Sequence, residues 1–324
     1  MANIRRITIS PALMNSSSAW ASEKEQIVEL YECEYTGAVT TRTATLHGFQ
    51  EDLSIHTVAF ASSTVSSVNS YGYSPHPLSQ YLTWVEELLK AGQSKPFIIS
   101  ITSSDPEELS TMIDSIQQLR RKVHDDQNSA SKIAIEINTS CPNIAYAPPP
   151  AYAIPTLKPF LNVLVSHFSK DRTLVIGLKL PPYVVSTQMS ELVGAIEELT
   201  VGLDESPIAF LTCTNTLGVS LLFADQAEGD IPRGQSSSQF ALPTPLGGLA
   251  GDSLHALALG NVYTFRRLIS ASQHESVRNI SIVGVGGVTN PDAVKRMREA
   301  GANVVACATI FGKLGIDTFK MLSG

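Results

Sequence analysis

Between residues 138 and 143 the chain reads Asn-Thr-Ser-Cys-Pro-Asn, so that Cys141 has a carboxamide on either side. A thiol becomes a base once ionised, and Asn offers donors and an acceptor suited to a flat, imide-like ligand edge. Pro142 stiffens the backbone beside the thiol and biases Cys141 away from helical geometry. Lys179 is a second candidate, because it ends an apolar run and is followed by Leu180-Pro181-Pro182, an unusual setting for a surface lysine. A third is Val283-Gly-Val-Gly-Gly287, which precedes Asn290-Pro-Asp and a helical stretch over 293–300. Glycines let backbone N–H groups approach an anion and a helix N-terminus adds its dipole, so this run suits a phosphate. It is not a dinucleotide fingerprint, since the third Gly of Gly-x-Gly-x-x-Gly is missing. Each feature alone also has a plainer reading: an Asx-turn with a structural Cys, an exposed lysine, a tight turn.

Strand ends could hold all three. Short apolar or β-branched runs recur at residues 12–15, 37–41, 97–101, 133–137, 174–179, 208–213, 280–285 and 304–308. Several of the intervening stretches have helical spacing: 106–123 (Met112, Ile113, Ile116, Leu119), 157–168 (Leu161, Leu164, Val165) and 189–199 (Leu192, Ile196, Leu199). Strand alternating with helix predicts an α/β fold, a (β/α)₈ barrel occupying 1–324 as one domain; roughly 250 residues plus insertions is the usual size. An open doubly wound sheet is the competing arrangement. Barrel active sites lie where strands end, and there the chain carries Asn15-Ser-Ser-Ser18, Thr41-Arg-Thr43, the run 138–143, Lys179, Thr214-Asn-Thr216, Gly286-Gly287 and Thr309. Three connections, 44–96, 142–155 and 217–252, exceed ordinary loop length, which predicts function or disorder. The proline-rich segment after Cys141 suggests a lid, and Gln-Ser-Ser-Ser-Gln at 235–239 a mobile stretch.

A net charge of −7, from 23 basic and 30 acidic residues, argues against a nucleic-acid surface, which needs cations to neutralise phosphates. Small-molecule partners fit better. The cysteines at 33, 141, 213 and 307 have neither Cys-x-x-Cys spacing nor a nearby His at ligand spacing, so no metal site or disulfide framework is indicated. The opening Met-Ala-Asn-Ile-Arg-Arg lacks a signal peptide's apolar core, and no run approaches the ~20 apolar residues of a membrane span. These features predict a cytoplasmic protein with reduced thiols and no membrane partner.

The constellation resembles the soluble, class 1 dihydroorotate dehydrogenases, the FMN-containing barrel enzymes of pyrimidine biosynthesis, and in particular their single-subunit, fumarate-type branch. The resemblance runs from Pro11-Ala-Leu-Met-Asn15 to Ala308-Thr309. Its most specific parts are the 138–143 run, Gly177-Leu-Lys179-Leu-Pro-Pro-Tyr183, Thr212-Cys-Thr-Asn215-Thr216, Gly247-Gly-Leu-Ala-Gly251 and Val283-Gly-Val-Gly-Gly287. It implies that Cys141 removes a proton from C5 of dihydroorotate while a hydride leaves C6 for flavin N5. It also implies that Asn69, Asn138, Asn143 and Asn215, with Thr216 beside them, hold the pyrimidine edge and carboxylate. Lys179 would lie against the N1/O2 side of the isoalloxazine, where positive charge favours the reduced ring. Ser16, Ser17, Thr43, Gly248, Gly286, Gly287, Ala308 and Thr309 would line the FMN, those of the last two strand ends near its phosphate. A homodimer and a soluble electron acceptor are further implications.

This chain departs from the family pattern at several of these places. Arg42 stands where the family has a lysine beside flavin and substrate, and a planar fork is not an equivalent point charge. Tyr71-Gly72-Tyr73 replaces a Met-Gly-Leu substrate loop. Ala308 replaces a phosphate-loop Gly, and the basic residues that usually precede the Gly-rich loop are absent from Phe240-Ala-Leu-Pro-Thr244. Dihydroorotate oxidation is therefore weighed against flavin chemistry on another cyclic amide or unsaturated acid. A non-catalytic flavin-binding homologue and a flavin-free lyase using Lys179 as a Schiff base are the remaining alternatives.

Overall fold

The computed structural model describes residues 1–92, 94–127, 129–141, 143, 149–229 and 239–324. Its centre is a parallel sheet of β1 (Leu13–Asn15), β2 (Val39–Thr40), β3 (Phe97–Ile101), β4 (Ile133–Asn138), β5 (Ile176–Leu180), β6 (Phe210–Cys213), β7 (Ser281–Val285) and β8 (Val304–Cys307). Hydrogen-bonded neighbours run β1-β8-β7-β6-β5-β4-β3-β2. The β1/β2 seam has no ladder of its own, but a side chain closes it. Buried Asn15 donates from Nδ2 to the Thr40 carbonyl (2.6 Å) and accepts at Oδ1 from the Thr40 N–H (2.9 Å), as a peptide of a neighbouring strand would. The Gly37 N–H adds a bond to the Leu13 carbonyl (2.8 Å), and only glycine fits there, because a Cβ would lie 1.9 Å from the Pro11 carbonyl oxygen. This closure makes a barrel of what could have been an open sheet.

Strand alternation sorts the side chains. In β4, Ile133, Ile135 and Ile137 pack outward with the helices, while Ala134 belongs to a separate interior cluster. The surrounding helices include Pro106–Lys122, Ile154–Lys170, Ser186–Thr200, Asp252–Ala271 and Pro291–Glu299. Their starts follow local chemistry: the Asp105 side chain accepts from Glu107 N–H and Asn290 from Ala293 N–H, each with Pro at the next position. The expected strands and helices are all present within a few residues at their ends. Inside, Phe210 fills the barrel against Gly177, where a Cβ would meet the Phe210 ring at 2.3 Å. A hairpin of Ala2–Ile4 and Ile7–Ile9 seals the N-terminal end, packing Ile4, Ile7 and Ile9 against Ile98, Ala134, Val175, Ala209 and Val304.

Two of the three long connections contain strands that the sequence did not announce. Val58–Phe60, Ser66–Asn69, Leu217–Leu221 and Leu246–Gly251 form a four-stranded antiparallel sheet, with Ser66–Asn69 paired to Leu246–Gly251. The pairing of Ser66–Asn69 with Leu246–Gly251 joins segments far apart in sequence, so local periodicity does not reveal it, and the glycines that depress strand propensity are required by close packing. A Cβ on Gly247 would lie 2.5 Å from the Asn69 carbonyl oxygen, and one on Gly251 (φ +81°) 2.1 Å from that of Val65. Of the segment read as a lid, Pro142 and residues 144–148 lie outside the described residues. Its described end is anchored: Tyr183 donates to the Ala151 carbonyl (2.7 Å) and Tyr152 to that of Pro182 (3.3 Å). Residues 235–238 of the low-complexity stretch also lie outside. Among the described residues, no helix is long and apolar enough to cross a membrane.

Candidate active site

A cavity opens at the C-terminal ends of the barrel strands. Strand ends bring Ser16 and Ser17 (β1), Arg42 and Thr43 (β2), Asn138, Cys141 and Asn143 (β4), Lys179 (β5), Asn215 and Thr216 (β6), Gly286 and Gly287 (β7), and Ala308 and Thr309 (β8) to its wall. The antiparallel sheet and the segment after it add Asn69, Tyr71, Gly72 and Tyr73. Gly248 is the exception. It pairs with Asn69, whose Nδ2 donates to the Gly248 carbonyl (3.2 Å), and the last two residues of its strand, Ala250 and Gly251, line the cavity instead. Because β4 and β8 face each other across the barrel, Cys141 and Thr309 occupy opposite sides of the mouth.

The carboxamides are fixed by one another and by neighbouring hydroxyls. Asn138 donates to Thr43 Oγ1 (3.0 Å) and accepts at Oδ1 from the Ser140 hydroxyl (2.8 Å). Asn215 donates to Ser140 Oγ (3.0 Å), and its Oδ1 accepts from the Thr216 N–H (2.9 Å). Asn143 donates to the carbonyl of Tyr71 (2.9 Å) and to Asn69 Oδ1 (3.2 Å), tying the Cys141 loop to the aromatic loop. A preorganised set of this kind recognises a rigid polar ring without first reordering itself.

Two opposing electrostatic arrangements meet at the chemistry. Lys179 is buried and donates to the Ser17 carbonyl (3.0 Å). Burial pushes its ammonium below the usual lysine range, against the pull of Glu136 and Cys141. Glu136 is a buried carboxylate in the barrel interior, held by Ser100 Oγ (3.1 Å) and Thr212 Oγ1 (2.7 Å). Burial likewise pushes the Cys141 thiol up, while the Asn143 backbone N–H and the charges of Lys179 and Arg42 act the other way. Arg42 is committed elsewhere. Its guanidinium pairs with Glu51 (2.6 Å), donates to Ser22 Oγ (3.0 Å) and the Gly72 carbonyl (3.4 Å), and lies 5.5 Å from the Tyr71 ring centroid.

Several contributors were missed by reading the sequence. Glu51 lies in a long connection with nothing around it to mark a partner for Arg42. Glu136 was findable, as a charged residue two positions before Asn138 in an apolar strand, hence on the same inward face. Ser18 and Thr214 line the cavity, and their buried hydroxyls have no partner among the described residues. At the β7 end, Gly286 (φ +126°) and Gly287 (φ +65°) have no room for a side chain: a Cβ would lie 2.6 Å from Ala258 Cβ or 2.5 Å from His255 Cβ. A glycine cradle, unsatisfied hydroxyls and a buried cation fit an elongated ligand that pairs a polar ring system with a phosphate, as FMN does.

The fold is a (β/α)₈ barrel with its cavity at the strand ends, and the relatives place it among the oxidoreductases that act on CH–CH bonds. A model of the dihydroorotate dehydrogenase family matches residues 3–323, and the chain belongs to that family, whose members use flavin. Among curated proteins it is similar to the "Putative dihydroorotate dehydrogenase A (fumarate)" of Streptococcus pyogenes serotype M5, 26% identical over 324 residues and covering 99% of this chain and 89% of that one. The protein of the same name from Streptococcus agalactiae serotype Ia is 28% identical over 311 residues, covering 96% and 87%. The crystal structure of Eimeria tenella DHODH in complex with ferulenol has the same fold, with a TM-score of 0.74 at 14% identity, covering 99% of this chain and 82% of that one.

Proposed function

We propose that this protein oxidises dihydroorotate to orotate, with FMN as its bound hydride acceptor and a soluble dicarboxylate such as fumarate as the final oxidant. The observation that carries the reading is the meeting of Cys141, Lys179 and four asparagines in one cavity, with the Gly286-Gly287 cradle at the β7 end of its mouth. FMN would supply the hydride acceptor, with its phosphate against Gly286, Gly287, Ala308 and Thr309 and its ring within reach of Lys179, Ser17 and Thr43. Cys141, as the thiolate, takes the proton from C5, and the hydride departs from C6, so that the ring loses one H⁺ and one H⁻ and gains a double bond. Asn138 and Asn215, held through Ser140, orient the imide edge; Asn69 and Asn143 orient the opposite side. The names of the relatives support fumarate as the acceptor.

A second reading keeps the flavin chemistry but changes the substrate to another cyclic amide. Arg42 favours it, because its charge is matched by Glu51 and is not free to meet a substrate carboxylate. Mass spectrometry of the released cofactor, followed by orotate formation with fumarate as acceptor, tests the proposal. FMN and orotate are expected. Finding FAD or no flavin removes the cofactor assignment, and FMN without orotate leaves the second reading.

A further inference from the structure

Among the described residues, the β7 and β8 ends of the cavity carry no cationic side chain of their own. Among the described lining residues only Arg42 and Lys179 are cations. They rise from β2 and β5, each two strands away from the β8 and β7 ends that would hold the phosphate. The nearby carboxylate, Asp252, is occupied by Thr289 Oγ1 and the Val65 N–H.

Behind the cradle stands His255, on the helix Asp252–Ala271. Its Nδ1 lies 2.8 Å from the Gly286 carbonyl oxygen, and Arg296 Nε lies 3.3 Å from its Nε2. Arginine only donates, so Nε2 is the accepting nitrogen, and the ring proton sits on Nδ1, where it is donated to Gly286. The peptide joining Gly286 to Gly287 is planar and trans, so its N–H points opposite to its carbonyl. His255 does not line the cavity, whereas Gly286 and Gly287 do. Drawing the Gly286 carbonyl back onto His255 therefore turns the Gly287 N–H toward the cavity.

We propose that His255 and Arg296 are positioning residues for the cofactor phosphate: the relay from Arg296 through His255 to the Gly286-Gly287 peptide aims that N–H at the phosphate and strengthens it as a donor. The inference rests on the FMN reading. Hydrogen bonds in series polarise one another, so the exposed arginine lends part of its charge to a donor it does not touch. Close packing makes the support stiff, because His255 Cβ lies 2.5 Å from where a Gly287 Cβ would stand, with no slack for the loop to rotate.

Riboflavin separates this role from a general structural one, since it carries the same ring without the phosphate. Apoprotein is prepared from wild type, His255→Ala, His255→Asn and Arg296→Gln, its thermal stability is checked, and FMN and riboflavin are titrated by fluorescence quenching. His255→Ala should weaken FMN about 10-fold, the scale of one well-placed hydrogen bond, while riboflavin affinity changes less than about 2-fold. His255→Asn, which can return an amide N–H to the Gly286 carbonyl, should recover much of the loss, and Arg296→Gln should cost FMN roughly 3-fold. Equal losses for both ligands, or an unchanged FMN affinity, overturn the inference. If wild-type apoprotein binds neither ligand, or shows no preference for FMN, the cofactor reading itself is wrong.

Discussion

At the scale of residues, the proposed chemistry depends most on Cys141. Burial raises its thiol, so the base is mostly protonated at neutral pH and the rate of substrate oxidation should climb as pH rises through that elevated value. Cys141→Ala should keep FMN and bind substrate, yet reduce the flavin at least about 100-fold more slowly in stopped flow. Cys141→Ser should regain activity only at high pH; a wild-type rate in the alanine variant would make the thiol structural. Lys179→Ala should weaken flavin retention, measured by dialysis, far more than Lys170→Ala, since Lys170 merely ends the helix Ile154–Lys170. Arg42 lines the cavity, and its ion pair with Glu51 and bond to the Gly72 carbonyl tie it to the Tyr71–Tyr73 loop. Arg42→Lys or Glu51→Gln should accordingly raise KM roughly 10-fold, about one charge-assisted bond, with kcat and FMN content little changed. The thiol, the lysine and the asparagines were legible because their side chains announce their chemistry wherever the strand ends. Glu51 and His255 were not: each acts through a partner that only the fold brings near.

At the scale of elements, the barrel strands could be read because each is a compact apolar run between polar strand ends, whereas the antiparallel sheet over the mouth could not. Leu246–Gly251 holds three glycines in six residues and becomes a strand only through its register with its neighbours Ser66–Asn69 and Leu217–Leu221. The seam was also hidden. Asn15 was noted for its place at a strand end, yet its role is to substitute for a missing ladder between β1 and β2. Asn15→Leu keeps the volume but strands the Thr40 N–H and carbonyl. At about 1–3 kcal/mol for each of these two buried unpaired groups, a loss of roughly 2–6 kcal/mol is expected, seen as a lower urea midpoint at unchanged slope. An unchanged midpoint would mean that backbone contacts such as Gly37 to Leu13 suffice to close the barrel.

At the scale of the whole molecule, the barrel divides its mouth: β4, β6 and the antiparallel sheet gather the carboxamides and the thiol, while β7 and β8 supply the glycine-rich side proposed to hold the phosphate. Lys179, from β5, stands between those groups, with its counter-charge Glu136 buried below in the barrel core. Because the long connections pair with each other over the barrel, we propose that the chain unfolds as one unit, as a single domain would. The central claim is that dihydroorotate gives up its hydride in this cavity, and anaerobic mixing tests it most directly. Holoprotein mixed with dihydroorotate without oxygen should lose its flavin absorbance band and yield one equivalent of orotate per flavin, with fumarate restoring the band. A band that dithionite bleaches but dihydroorotate leaves untouched would contradict the account.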